Sequence, residues 1–153
     1  MELVLNKCYG GYGLSHAAKM KILEKKGVEV FPYIPIESDD IFERTLKRVS
    51  EKELISENRS IFQNIYYFQK DPGKDEFDIN QSVEDGLDYN EFDFDNVERF
   101  DKVLVETIKE LSDKANTRFS NLKVVEIPDG AEFEISDYDG VETAHFGFQT
   151  GSV

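Results

Sequence analysis

The hydrophobic positions of this chain fall into short runs separated by glycine-bearing or charged breaks. Leu3, Val4 and Leu5 are consecutive apolar residues, the pattern of a buried strand. Gly10, Gly11 and Gly13 follow within four positions, and Ser15 then caps HAAKMKILEKK, which reads as a helix stopped by Gly27. VEVFPYI, residues 28–34, alternates and reads as a second strand. The intervening connection is long enough for a right-handed parallel crossover. Pro32 and Pro35 predict an edge position or an exit from the sheet. Residues 38–54 predict a short surface helix lined by Ile41, Leu46 and Val49 and capped by Ser38 or Asp39. SIFQNIYYFQ, residues 60–69, predicts a third strand, closed by the turn Asp71-Pro72-Gly73.

In the second half, Phe92 and Phe94 alternate with acids and predict a short strand. Asp101 caps a helix whose apolar face is Val103, Leu104, Ile108, Leu111 and Ala115, with Asn116 as a left-handed terminator. LKVVEI then reads as a strand, and Asp139-Gly140 between two alternating runs predicts a hairpin. The sum is an α+β fold: a mixed or antiparallel sheet of about six strands with two main helices packed on one face. At 153 residues the chain is expected to be a single domain.

Charge changes this picture in one place. The formal net charge is -14, and residues 71–101 hold 12 acids against Lys74 and Arg99, or -10 of it. This marks an acidic insertion at about 71–100, read as a solvated segment with a few aromatic anchors. It argues against duplex nucleic acid as a partner. Its acids lack calcium-loop spacing, and His16, His145 and Cys8 are too few and too scattered for a zinc site, so no metal is expected. No apolar run spans a bilayer, and the N-terminus has neither a signal-peptide core nor a basic presequence. With its lone cysteine, the chain reads as a soluble protein of a reducing compartment.

The candidate chemistry sits between the first strand and first helix. Residues 8–15, with Cys8, Tyr9, Gly10, Gly11, Gly13 and Ser15, put a flexible turn at a helix N-terminus, where N–H donors suit phosphate. The alternative is a tight turn that binds nothing, since the third glycine of the dinucleotide fingerprint and the Walker lysine-serine pair are missing.

Three stretches, LVLNKCYGGYGLSHAA, KANTRFSNLKVVEIPDG and EFEISDYDGVE, resemble hallmark blocks of a family of small bacteriophage proteins, the Thoeris anti-defence sponges. The blocks cover about a third of the chain and sit at both ends. The resemblance implies a protein of the host cytoplasm without catalytic activity or cofactor. Its members sequester cyclic ADP-ribose isomers or related cyclic nucleotides. It further implies a symmetric homo-oligomer, a dimer or dimer-based hexamer, with pockets near subunit contacts. Departures are the acidic middle, Thr117 where a glycine is expected, and an altered tail past Glu142.

Toward such a ligand, Arg118 offers a bidentate grip for phosphate, its alternative being a surface arginine paired with an acid. Phe92 offers a stacking face, or is simply core. Arg99 and Asp101 occupy positions where the family keeps an arginine and a polar helix cap, and capping alone accounts for Asp101. Cys8 is equally a small residue ending a strand. Two other function classes remain: an acidic DNA mimic or host-factor inhibitor, and a small nucleotide-processing enzyme, against which no nucleophile with an evident base is seen.

Overall fold

The computed structural model describes residues 1–36, 44–50, 65–147 and 151–152. In chain order the strands and α-helices are β1 (Glu2–Asn6), α1 (His16–Lys26), β2 (Phe31–Pro35), β3 (Thr45–Arg48), β4 (Tyr66–Phe68), β5 (Glu76–Asp78), α2 (Ile79–Glu84), α3 (Lys102–Leu111), β6 (Leu122–Glu126), β7 (Phe133–Tyr138), β8 (Val141–Phe146) and β9 (Gly151–Ser152). The fold is α+β. Its strands are distributed over three sheets, β1-β6, β4-β2-β3-β5 and β7-β8-β9, and every pairing among the described residues is antiparallel. The chain divides into two compact units: Met1–Gly27 together with the described residues from Phe94 onward, and Val28–Asp93. The second unit therefore starts well before the acidic segment expected at 71–100 and includes most of it.

In the first unit the β1–β6 ladder lies between two apolar layers. Val4, Leu122 and Val124 pack with Ala18 and Ile22 of α1 and Leu104, Val105 and Ile108 of α3. On the opposite side, Leu3, Leu5, Val125 and Ile127 pack with Phe133, Ile135, Ala144 and Phe146 of the β7–β8 hairpin. Side chains alternate across a strand, so only a strand covered on both faces needs consecutive apolar residues. That is why Leu3, Val4 and Leu5 are adjacent. β1 pairs with β6 and β2 belongs to another sheet, so the expected parallel crossover through α1 does not form.

Both helix boundaries of α1 follow the sequence. The Ser15 hydroxyl accepts from the Ala18 N–H at 3.1 Å, and Gly27 closes the helix at φ 70°, ψ 28°. α3 begins where Asp101 accepts from the N–H groups of Val103 and Leu104, and all five expected apolar residues join the helix-side core. Its terminator differs. Ser112 takes the positive φ of 50°, a 3-10 turn follows over Ser112–Ala115, and Asn116 is extended at φ -79°. The Asn116 carboxamide instead accepts from the Leu122 N–H at 2.7 Å, tying the turn to β6.

The second unit is built on an aromatic cluster of Tyr33, Phe68, Phe77 and Tyr89 around Leu46, with Tyr33–Phe77 and Phe77–Tyr89 ring centroids 5.2 Å apart. Leu46 lies on strand β3, where a helix over 38–54 was expected; pairing with β2 and β5 on both sides fixes it as a strand. Residues 37–43 and 51–64 lie outside the described residues, so of the third expected strand only Tyr66–Phe68 is seen. β2 is an interior strand despite its prolines. Its neighbours are short, and the Pro32 carbonyl still accepts from the Val49 N–H at 3.2 Å. Phe92 and Phe94 form no strand: Glu91 makes an isolated bridge to Phe68, and Phe94–Asn96 is a 3-10 turn.

Candidate ligand-binding site

Asn6, at the end of β1, is fully buried at 0 % exposure. Its Nδ2 donates to the carbonyls of Cys8 at 2.8 Å and Gly140 at 2.6 Å, and its Oδ1 accepts from the Asn121 N–H at 2.8 Å. One side chain thus binds the main chain of the glycine-rich loop, the segment before β6 and the β7–β8 turn. These are the segments that carry most of the expected ligand contacts.

The glycines of the loop serve first to let backbones touch. Gly10 has φ +125°, and a Cβ there would stand 2.5 Å from the Phe119 carbonyl oxygen. A Cβ on Gly140, in the hairpin turn, would collide with the Gly11 nitrogen. The Gly10 N–H, expected to face an anion, donates to the Asp139 carbonyl at 3.2 Å. The cradle is therefore partly closed by the hairpin. Gly11 differs: at φ +105° a Cβ would meet nothing within 4 Å, so its outer side is open. Gly13 makes room for Thr117, whose Cγ2 would lie 3.3 Å from an added Cβ. That absent side chain explains how Thr117 is accommodated in a turn where glycine was expected.

Three expected ligand residues are committed to internal work. The Ser15 hydroxyl caps α1 and donates to the Lys114 carbonyl at 2.7 Å. Asp101 caps α3 and accepts from Lys26 Nζ at 2.8 Å. Partial burial pushes its pKa up, but Lys26 and the Leu104 and Val103 N–H groups outweigh that and hold it below the usual value. Arg99 forms a bidentate pair with Glu142 at 2.7 and 2.9 Å, with its guanidinium 3.4 Å from the Tyr12 ring centroid. Burial, with Glu142 and Asp95 nearby, pushes the Tyr12 hydroxyl up to about 12 against the opposing pull of Arg99.

This buried group also closes the outer edge of β1. The Val4 N–H donates to the Arg99 carbonyl at 2.9 Å, Arg99 Nη1 donates to the Val4 carbonyl at 3.2 Å, and the Asn6 N–H donates to Glu142 Oε1 at 2.8 Å. Edge donors and acceptors that would otherwise stay unpaired are satisfied by the Arg99 carbonyl and by the Arg99 and Glu142 side chains. Sequence reasoning missed Asn6, Tyr12 and Glu142. The available signals were an asparagine ending an apolar strand and a glutamate in the inward row of β8 with Ala144.

Cys8 is half-buried, and its thiol donates to the Phe119 carbonyl at 3.2 Å. Arg118 is exposed and, among the described residues, makes no ion pair or hydrogen bond. Among the described residues no acid neutralises it, as the alternative of a paired surface arginine would require. Its turn is fixed from beneath: the Ser120 hydroxyl donates to the Gly13 carbonyl at 2.9 Å and accepts from the Thr117 N–H at 2.8 Å. The three joined segments carry exposed rings: Tyr9 at 71 % on the glycine-rich loop, Phe119 at 47 % next to Arg118, and Tyr138 at 74 % before the hairpin turn. Phe92 belongs to the second unit, where its N–H donates to the Tyr67 carbonyl at 2.8 Å.

The chain matches no family model, no curated protein and no solved structure. The site must be read from its own geometry. One further pairing bears on that reading: Ser136 Oγ lies 2.9 Å from His145 Nε2 on the outer face of the β7–β8 hairpin. Both residues are exposed and stand diagonally across the ladder, as cross-strand pairs that stabilise a hairpin do. No helix of the described residues is long and apolar enough to cross a membrane.

Proposed function

We propose that this protein sequesters a small phosphate-bearing nucleotide signal without cleaving it, the cyclic ADP-ribose class that the resemblance to the Thoeris sponges implies. One observation carries the reading: in a chain of net charge -14, Arg118 stands exposed without an acidic partner among the described residues, on a turn packed against the glycine-rich loop. An anion approaching such a protein meets long-range repulsion, so a local cation with a bidentate fork has to overcome it. Phe119 and Tyr9 offer apolar faces to a base, and the outer side of Gly11 leaves room for close approach of a phosphate. The protein acts in the host cytoplasm as a symmetric homo-oligomer.

The test is direct. The purified protein is incubated with cyclic ADP-ribose, freed of excess ligand, denatured, and the released material analysed. Release of intact ligand is expected. Altered ligand identifies a nucleotide-processing enzyme. If nothing is released, the reading falls, and the acidic DNA-mimic or inhibitor class takes its place. Light scattering at micromolar concentration checks the oligomer; a monomer mass removes that part of the proposal.

A further inference from the structure

The Asn6 carboxamide has a role that its position directly after the apolar run Leu3, Val4 and Leu5 does not explain. Both Nδ2 protons are used, one on Cys8 and one on Gly140, and Oδ1 takes the Asn121 N–H. The amide orientation is thereby fixed, since a reversed amide would set its oxygen against two carbonyl oxygens. The Lys7 N–H adds a bond to the Asn121 carbonyl at 2.8 Å, and Lys7 Nζ reaches the Glu142 carbonyl at 2.6 Å. Three segments that are remote in sequence thus meet on one buried group. Arg118 stands three residues before Asn121, on a turn whose Phe119 carbonyl already receives the Cys8 thiol.

We propose that Asn6 is a positioning residue that joins the glycine-rich loop, the Arg118 turn and the Asp139–Gly140 turn into one rigid rim and so presets Arg118 for a phosphate-bearing ligand. The coupling to Arg118 rests on the binding reading above, whereas the rigidity of the rim does not. A buried amide with all its bonds made rigidifies what it touches, and losing one partner leaves carbonyls or an N–H buried and unpaired. Asn6→Asp is nearly isosteric but replaces the donor with an oxygen facing two carbonyls, beside the Glu142 carboxylate that already holds the Asn6 N–H.

Amide hydrogen exchange followed by NMR, together with calorimetry using cyclic ADP-ribose, tests this on the full chain. In the unmodified protein the Asn6 Nδ2 protons and the Asn121 N–H should show the same protection, each rate taken relative to its own intrinsic rate, as one opening event requires; unprotected Nδ2 protons beside a protected Asn121 overturn the rigid rim. In Asn6→Asp, exchange at Gly10 and Asn121 should rise roughly tenfold or more while amides of helix α3 keep their rates. A uniform rise throughout the unit makes Asn6 a general stabiliser and sinks the idea. If Asn6→Asp does not fold, the exchange rates of the unmodified protein decide. In the binding arm, Asn6→Asp should weaken affinity, and adding it to Arg118→Ala should cost nothing more, whereas additive losses refute positioning. If the unmodified protein fails to bind cyclic ADP-ribose, the binding reading falls and the exchange experiment still judges the rim.

Discussion

Two arginines of the same unit were expected among the ligand contacts, and the fold places them in opposite settings. Arg99 is clasped by the buried Glu142, stacked on Tyr12 and bonded to the backbone of β1. Arg118 is exposed on a braced turn and makes no ion pair among the described residues. The same planar cation thus closes a strand edge in one place and stands open to solvent in the other, where the proposed reading sets an anion. What separates them is whether the fold delivers a carboxylate. The inward row of β8 brings Glu142 to Arg99, and among the described residues no strand brings an acid to Arg118.

The comparison breaks most visibly at Glu142. Glu142→Ala leaves a largely buried guanidinium unpaired and frees the Asn6 N–H, so it should destabilise by roughly 3 kcal/mol in urea unfolding. Replacing both partners, Arg99→Met with Glu142→Leu, should recover part of that loss, because no charge is then stranded. A single variant as stable as the parent would mean that Arg99 has another partner, and the contrast would dissolve.

Arg118 should show the reverse pattern. Arg118→Ala is expected to leave stability unchanged within about 0.5 kcal/mol. Affinity for cyclic ADP-ribose should fall by about 1.5–3 kcal/mol, or about 10- to 150-fold. Arg118→Lys keeps the charge without the fork and should restore only part. Calorimetry showing parental affinity in Arg118→Ala would make it an ordinary surface residue. Gly11→Ala gives a smaller and mixed response. Its φ of +105° costs a side chain roughly 1–2 kcal/mol of stability, while the open space outside adds no clash. Gly10→Ala, which meets the Phe119 carbonyl as well, should cost more; equal losses would show that the loop relaxes freely.

The legible parts of this chain were those fixed by neighbours in sequence. Ser15 and Gly27 bounded α1, Asp101 opened α3, and Asp139-Gly140 marked the hairpin, because caps and tight turns need particular residues at particular offsets. The partners that decide the site lie far apart. Arg99 and Glu142 are 43 residues apart and Asn6 and Gly140 are 134, and no local pattern reports such pairs. Leu46 misled for a related reason: its apolar spacing with Val49 suits a helix, and only pairing with β2 and β5 makes it a strand. The glycine loop was legible as a place of close backbone approach but not as to what approaches. Much of that space is filled by the hairpin and by Phe119.

The smallest effect expected is at Asp101, which lies two residues beyond Arg99 and carries an ion pair intermediate between the two arginines. Its carboxylate caps α3 and meets Lys26 at 2.8 Å, with both side chains partly open to water. Partial burial works against the charged form, but Lys26 and the two helix N–H groups outweigh it, so the folded pKa lies below the unfolded value. The sign follows from that direction. The stability it supplies is present above the unfolded value of about 3.9 and is lost as pH falls through the lower folded pKa. Asp101→Ala should therefore cost about 1 kcal/mol at neutral pH, the usual size of a lost N-cap. The difference from the parent should shrink in acid, since protonation removes from the parent much of what the substitution removed. Urea unfolding of both proteins at pH 7 and at pH 3 reads this directly. A gap that widens toward acid would mean that Asp101 is held by burial more than by Lys26 and the helix N-terminus, reversing the sign.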